Sequence, residues 1–376
     1  MLSEYNFRNF NFRLLFYVLV LNGIGIAVIA SAENGQQSYI NRQLIGLFGG
    51  LLIAVVLSLL NYRYVLRCSS LIYLGCVVIL LAVILAGKLG GAGIGSRRWI
   101  DLPVIGRFQP SEFVKIGLII FFSWFLQKYQ EKIDQPSTLL LLAAFAAIPL
   151  LLILKQPDLS TSIVIVFTIL CLVYTAGISY KWILFAAAVT IPGVALIVFL
   201  SQHGLMPFLE GYQIKRILAF INPGKYAELN LQQDNSKMAI GSGQLYGKGL
   251  FNNTSVSVKN GNFLSEEHTD FIFSVIGEEM GFVGSMIVLA LLLLFVFECF
   301  RMASKARDMA GKLLCTGVGT LVGFQAFTNI AVATGIFPNT GLPLPFISYG
   351  VSSLVSLYIG IGIVLNVGLQ QNKLEF

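Results

Sequence analysis

The feature that most limits what this chain can become is a succession of apolar runs, each close to the ~20 residues that cross a bilayer as a helix. They lie approximately at Phe12 to Ala30, Gln43 to Leu60, Leu71 to Gly87, Pro110 to Tyr129, Leu139 to Leu154, Leu159 to Ala176, Trp182 to Ser201, Thr269 to Phe297, Leu313 to Ile336 and Ile347 to Leu369. They predict an all-α polytopic membrane protein with about ten transmembrane helices. Composition agrees, with 56% hydrophobic residues, 11% charged residues and a mean hydropathy of +0.80. Three parts are expected: residues 1–201 with helices one to seven, residues 202–268 as a long connection carrying short amphipathic helices, and residues 269–376 with the last three. No secretory cleavage signal follows the first run, which is expected to stay as an anchor.

Alternation of the helices puts Arg8, Arg13, Arg63, Arg67, Lys128, Lys132, Lys181, Arg301, Lys305, Arg307 and Lys312 on one side. The positive-inside tendency makes that side cytoplasmic, with both termini there. Residues 202–268 and the loop at 88–109 then face outward, and they too are basic. Long loops translocate with little regard to charge, so Lys215, Arg216 and Lys248 are compatible with a plain solvated loop. The paired Arg97 and Arg98, beside Trp99 in a short glycine-rich loop, oppose the insertion bias and point to a bound anion. The five cysteines fall in helices or inner loops, so no disulfide is expected in the long outer segment. Neither a zinc spacing nor a nucleotide P-loop is present.

Carboxylates and a histidine crowd into Leu264 to Gly281, where the long polar segment ends and an apolar helix begins. An ionisable group at such a mouth is costly unless it pairs, faces water or does chemistry. Asp270 is the first candidate for chemistry, with Ser274, Gly277 and Gly281 near its face if the helix starts at about Thr269. His268 beside it has no serine or cysteine nucleophile in a recognisable arrangement and reads as an interfacial hydrogen-bonding residue. Glu112 and Lys115 are three apart at the start of a helix, either a self-neutralising pair or a phosphate contact. Asp158 after Gln156-Pro157 fits a helix cap and equally a residue that positions a sugar or cation. Tyr212 to Phe220 and Asp234 to Gly249 read as short helices, the second followed by a glycine-rich turn. Phe337 to Gly350 is a proline-rich link, either a tight outer turn or a cavity wall that includes Asn339, Thr340, Ser348 and Tyr349.

Together these segments resemble the SEDS family (shape, elongation, division and sporulation), the polytopic peptidoglycan glycosyltransferases that include RodA and FtsW. The matching pieces are Ser96-Arg97-Arg98-Trp99-Ile100, Gln109 to Lys115, Gln156 to Leu159, Ile240 to Gly243 with Gly247 to Gly249, His268 to Phe273, Gly277 to Glu279, and Thr340 to Phe346 with Ser348 to Gly350. Ser160 and Val351 stand where the family usually has glycine, and the spacing from Tyr212 to Gly249 is nearer to RodA than to FtsW.

The resemblance implies ten transmembrane helices, lipid II as substrate and Asp270 at the family's essential aspartate. It also places Arg98, Trp99, Glu112, Lys115 and Asp158 on motif positions with roles in activity or in shaping the cavity. The expected substrate-binding set is Arg97, Arg98, Trp99, Glu112, Lys115, Asp158, Lys215, Arg216, Lys248, His268 and Ser348. Expected partners are lipid II, the nascent glycan strand, the membrane and a class B penicillin-binding protein, with no nucleic acid. A divalent cation, Mg or Mn, is a possible assistant, although no oxygen cage is visible. A lipid II flippase and a noncatalytic scaffold are the rival readings. The candidate charges cluster at the outer side rather than continuing to the inner half, which favours chemistry over transport.

Overall fold

A computed structural model of the protein describes residues 10–33, 35–89, 98–102, 106–156, 158–202, 216, 218–251 and 267–370. Each apolar run contains one long helix: α1 Phe12–Ala32, α2 Gln37–Leu59, α4 Ser69–Leu89, α5 Pro110–Lys128, α6 Pro136–Leu154, α7 Leu159–Thr175, α8 Tyr180–Gln202, α10 Ile272–Ser304, α11 Met309–Ala333 and α12 Val351–Leu369. A six-residue helix, α3 Tyr62–Arg67, joins α2 to α4, and α9 Ala227–Ser242 lies in the long connection. By length and composition six of these helices can cross a membrane, and the apolar parts of α4, α7 and α8 are shorter. Helix α5 carries Glu112, Lys115 and Lys128, yet it sits among the most buried helices. Glu112 and Lys115 are sequestered by protein, as intramembrane charges must be, while Lys128 in the last turn is exposed.

Helices α5, α11 and α12 form the centre. The apolar window of α12 is 83% buried, against 22% for α6, whose Leu140 and Leu151 point outward as lipid-facing residues do. Small residues let the backbones approach, as between membrane helices generally. Gly50 of α2 faces the Tyr358 ring, Gly362 of α12 abuts Ala54, and Gly317 of α11 receives Ile119 of α5. At the end of the bundle away from Asp270, Arg63 pairs with Asp308 at 3.7 Å and Arg301 with Glu298 at 3.1 Å.

Several expectations are corrected. Ile100–Leu102 and Gly106–Phe108 pair as a small antiparallel hairpin that periodicity did not signal in so short a loop. The helix expected from Thr269 begins at Ile272, leaving Asp270 in the preceding turn, and the last helix begins at Val351 rather than Ile347. Helix α9 starts earlier than Asp234, at Ala227. The helix expected at Tyr212 to Phe220 falls largely outside the described residues; those of its positions that are described, 216 and 218–220, are helical.

Helix α10 is split. At Gly281 the backbone turns to φ 66° and ψ −163°, which breaks the helical hydrogen-bond ladder. The glycine-rich segment after α9 fills the break: the amides of Lys248 and Gly249 donate to the carbonyls of Glu278 and Glu279, each at 2.9 Å. The amides of Phe282 and Val283 donate back to Gln244 and Leu245 at 2.8 and 3.1 Å. Backbone groups freed by the break are thereby paired within the protein. Ser274, Gly277 and Gly281 thus face close packing: Gly277 meets Ile240, and Gly243 has the Gly277 carbonyl where a side chain would be. Gly243→Ala is therefore expected to destabilise the protein by about 1–3 kcal/mol through overpacking. Gly241→Ala, with open space at that position, is expected to be neutral or mildly stabilising within its helix. Thermal unfolding of both variants in detergent checks this, and equal midpoints would contradict the tight splice.

Candidate active site

The proline-rich link after α11 is the spine of the site, because its residues from Asn339 to Leu344 are held in turn by Arg216, Ser160, two amides of α11 and Ser348, with Asp270 against Gly341. Arg216 Nη1 donates to the Asn339 carbonyl at 3.1 Å, and the Ser160 hydroxyl makes a short bond to the Thr340 carbonyl. Gly341, at φ +74°, faces Asp270: a Cβ there would lie 3.0 Å from Asp270 Oδ2. Asn329 Nδ2 donates to the Leu342 carbonyl at 2.6 Å, Gln325 Nε2 to the Pro343 carbonyl at 2.9 Å, and the Leu344 amide to Ser348 Oγ at 2.7 Å. The link is rooted in the bundle where Phe346 and Ile347 are buried, with Gly25 of α1 against the Ile347 backbone.

The segment leading into α10 is held just as closely. The carbonyls of His268, Thr269 and Asp270 accept from the Tyr349 amide, Ser348 Oγ and Asn329 Nδ2 at 2.9, 2.6 and 2.8 Å. Phe271 is buried against Val332 and Phe337. The result is a half-buried carboxylate on a fixed backbone at one end of the bundle. Such a group can withdraw a proton from a hydroxyl delivered to that end.

The other expected site residues fall around this spine in different ways. Asp158 caps α7 through Thr161 and accepts from Gln109 Nε2 at 3.2 Å, with Arg98 Nη1 at 4.0 Å. It is thus a cap and also the neighbour of an arginine whose Nε is buried without a hydrogen-bond partner. Trp99 is 38% exposed. Lys115 Nζ lies 2.9 Å from Glu112 Oε1 and 2.8 Å from Gln325 Oε1. That buried pair therefore reaches the spine through Gln325 rather than standing at its surface. His268 Nδ1 is 2.7 Å from Glu33, its ring against Tyr39 and Tyr349, and Ser348 spends its hydroxyl on the two backbone bonds already described. Lys248 pairs with Glu278 at 2.7 Å within the splice. Arg97 and Lys215 lie outside the described residues.

Gln325 and Asn329 were not expected. Their signal was available, since two amides four residues apart inside an apolar run share a helix face and are expensive in a membrane unless used. Among the described residues no group of three or more His, Cys, Asp or Glu side chains converges to hold a metal ion.

A polytopic helical membrane protein that presents a braced carboxylate at one end, against a link whose Asn339 carbonyl is held by Arg216, has the makings of an enzyme acting on a membrane-borne substrate. The comparisons with known proteins specify the class. The FtsW/RodA/SpoVE family model, described as cell cycle protein, matches residues 12–373. A Geobacter metallireducens protein named probable peptidoglycan glycosyltransferase FtsW is 35% identical over 368 residues, covering 94% of this chain and 93% of the relative. The Escherichia coli peptidoglycan glycosyltransferase MrdB is 32% identical over 365 residues, covering 96% and 94%. Among solved structures, a chain from a peptidoglycan synthase complex is similar with a TM-score of 0.77 and 28% identity, over 96% of this chain and 97% of that one. The Thermus thermophilus rod shape determining protein RodA follows at 0.69 and 26%, over 97% and 98%. This chain belongs to the FtsW/RodA/SpoVE family. Relatives named for FtsW and for MrdB stand at similar identity, so these matches establish the family as a whole.

Proposed function

We propose that this peptidoglycan glycosyltransferase polymerises lipid II, with Asp270 as the general base. The side chain takes the proton from the acceptor sugar hydroxyl as that oxygen bonds to the anomeric carbon of the growing strand. The bond from that carbon to the lipid pyrophosphate breaks, and the pyrophosphate leaves with the electron pair. One base and a good leaving group fit a single displacement with inversion, unlike the two-carboxylate plan of glycosidases. Arg98, beside Asp158, and Arg216, on the Asn339 carbonyl, are placed to meet negative charge developing on the pyrophosphate.

The observation that carries this reading is the Asp270 carboxylate against Gly341, on a backbone tied at three consecutive carbonyls. Preorganisation of that kind suits a base whose geometry sets the rate. The positive-inside bias of the short loops supports an outward-facing Asp270 end with both termini cytoplasmic. A class B penicillin-binding protein is the proposed partner, since a similar chain comes from a complex described as coordinating polymerization and crosslinking.

The test is purified protein with labelled lipid II, with and without that partner, and gel analysis of glycan length. Polymer from the wild type and none from an equally folded Asp270→Ala variant is expected. Lipid transfer between leaflets without polymer would favour a flippase, and polymer that depends on the partner's chemistry alone a scaffold. The RodA-like spacing from Tyr212 to Gly249 supports a role in elongation, so depletion in the source cell is expected to give rounded cells rather than filaments.

A further inference from the structure

The proposed base sits outside a helix, so something other than helical geometry must fix it. Asn329, 1% exposed on α11, spans the gap: its single Nδ2 donates to the Asp270 carbonyl at 2.8 Å and to the Leu342 carbonyl at 2.6 Å. Both partners are acceptors only, so the amide can face them in one orientation. Its Oδ1 is left buried without a partner. A buried unsatisfied oxygen lowers stability, and a side chain present only to fill space would avoid it. One turn earlier on the same face, Gln325 holds the adjacent Pro343 carbonyl while its Oε1 accepts from Lys115. Two successive carbonyls of the proline link are therefore gripped from one helix face, and the link cannot slide along Asp270.

We infer that Asn329 is a positioning residue for the reaction: it locks the Asp270 backbone to the proline link and so sets where the carboxylate points. This rests on the reading of Asp270 as the base. Asn329 acts through that residue and touches no substrate in this role, so its loss lowers turnover and leaves substrate affinity unchanged.

The experiment uses the full-length protein with its transpeptidase partner and labelled lipid II, and measures kcat, KM and the thermal unfolding midpoint. Asn329→Leu keeps the forked side-chain shape and removes the donors; Asn329→Gln restores the amide at the end of a longer stem. The expected result is a kcat lower by about 100-fold in Asn329→Leu, as displacement of a reacting group by about 1 Å produces, with KM within about twofold. Asn329→Gln is expected to recover at least about tenfold of that loss, since it can remake the charge-free donor contacts. Wild-type kcat in Asn329→Leu, a raised KM, equal loss in both variants, or a loss that tracks the folded fraction would each overturn the positioning role. Asp270→Asn is the control that separates the two claims. If it polymerises, the base reading falls and this role falls with it; if it is inactive while Asn329→Leu turns over normally, only the positioning role falls.

Discussion

Asp270→Asn is expected to abolish detectable polymerisation, with a fall of about 10²–10⁴-fold if proton transfer is its whole contribution. The substitution is close to isosteric and leaves intact the backbone carbonyl that Asn329 holds and the burial of Phe271 that anchors the start of α10. An amide in that place can still hydrogen-bond a sugar hydroxyl but cannot carry its proton away. The loss should therefore appear in kcat, with substrate binding and the unfolding midpoint near those of the wild type. Glycan of normal length from this variant would remove Asp270 from the chemistry.

The second large effect is expected at the centre of the bundle. Lys115 and Glu112 are 2% exposed, and Glu112 Oε2 has no hydrogen-bond partner. Lys115→Met strands the carboxylate without its cation, for which a loss of about 3–5 kcal/mol is the usual size. It also removes the donor that orients Gln325, and with it the hold on Pro343. Polymerisation should fall along with the unfolding midpoint. The double variant Glu112→Gln with Lys115→Met carries no stranded charge, so most of the lost stability is expected to return, while activity returns less because Gln325 stays unpinned. A single Lys115→Met variant as stable as the wild type would show that the pair contributes little to holding the bundle together.

The membrane helices were legible because an apolar run of bilayer length permits few other structures. The Glu112 and Lys115 contact was legible for a similarly local reason, since a spacing of three on a helix brings side chains together. Asp158 as a cap also follows from its own neighbourhood, and the structure adds Gln109 and Arg98 to it. What could not be read are contacts made across space. Glu33 meets His268 and Ser160 meets Thr340 only because the bundle brings distant turns together at one end. The proline link looked like a turn or a wall because its bonds are to its own backbone carbonyls, which any sequence possesses. Gln325 and Asn329 were hidden in a run read for its hydrophobicity alone. The break at Gly281 is likewise unmarked, since Gly277 and Gly284 on either side of it stay helical.

The splice between the glycine-rich segment and α10 is stitched from main chain to main chain in both directions. Sutures of that kind ask nothing of the side chains beyond smallness at Gly243 and Gly247, so neighbouring letters of the sequence are free to drift while the seam stays put. It also turns two pieces of chain into one mechanical part: a pull at residue 250 is a pull on the part of α10 that precedes its break. An engineer threading a fluorescent reporter or an epitope into the connection between α8 and α10 should leave residues 243–249 untouched.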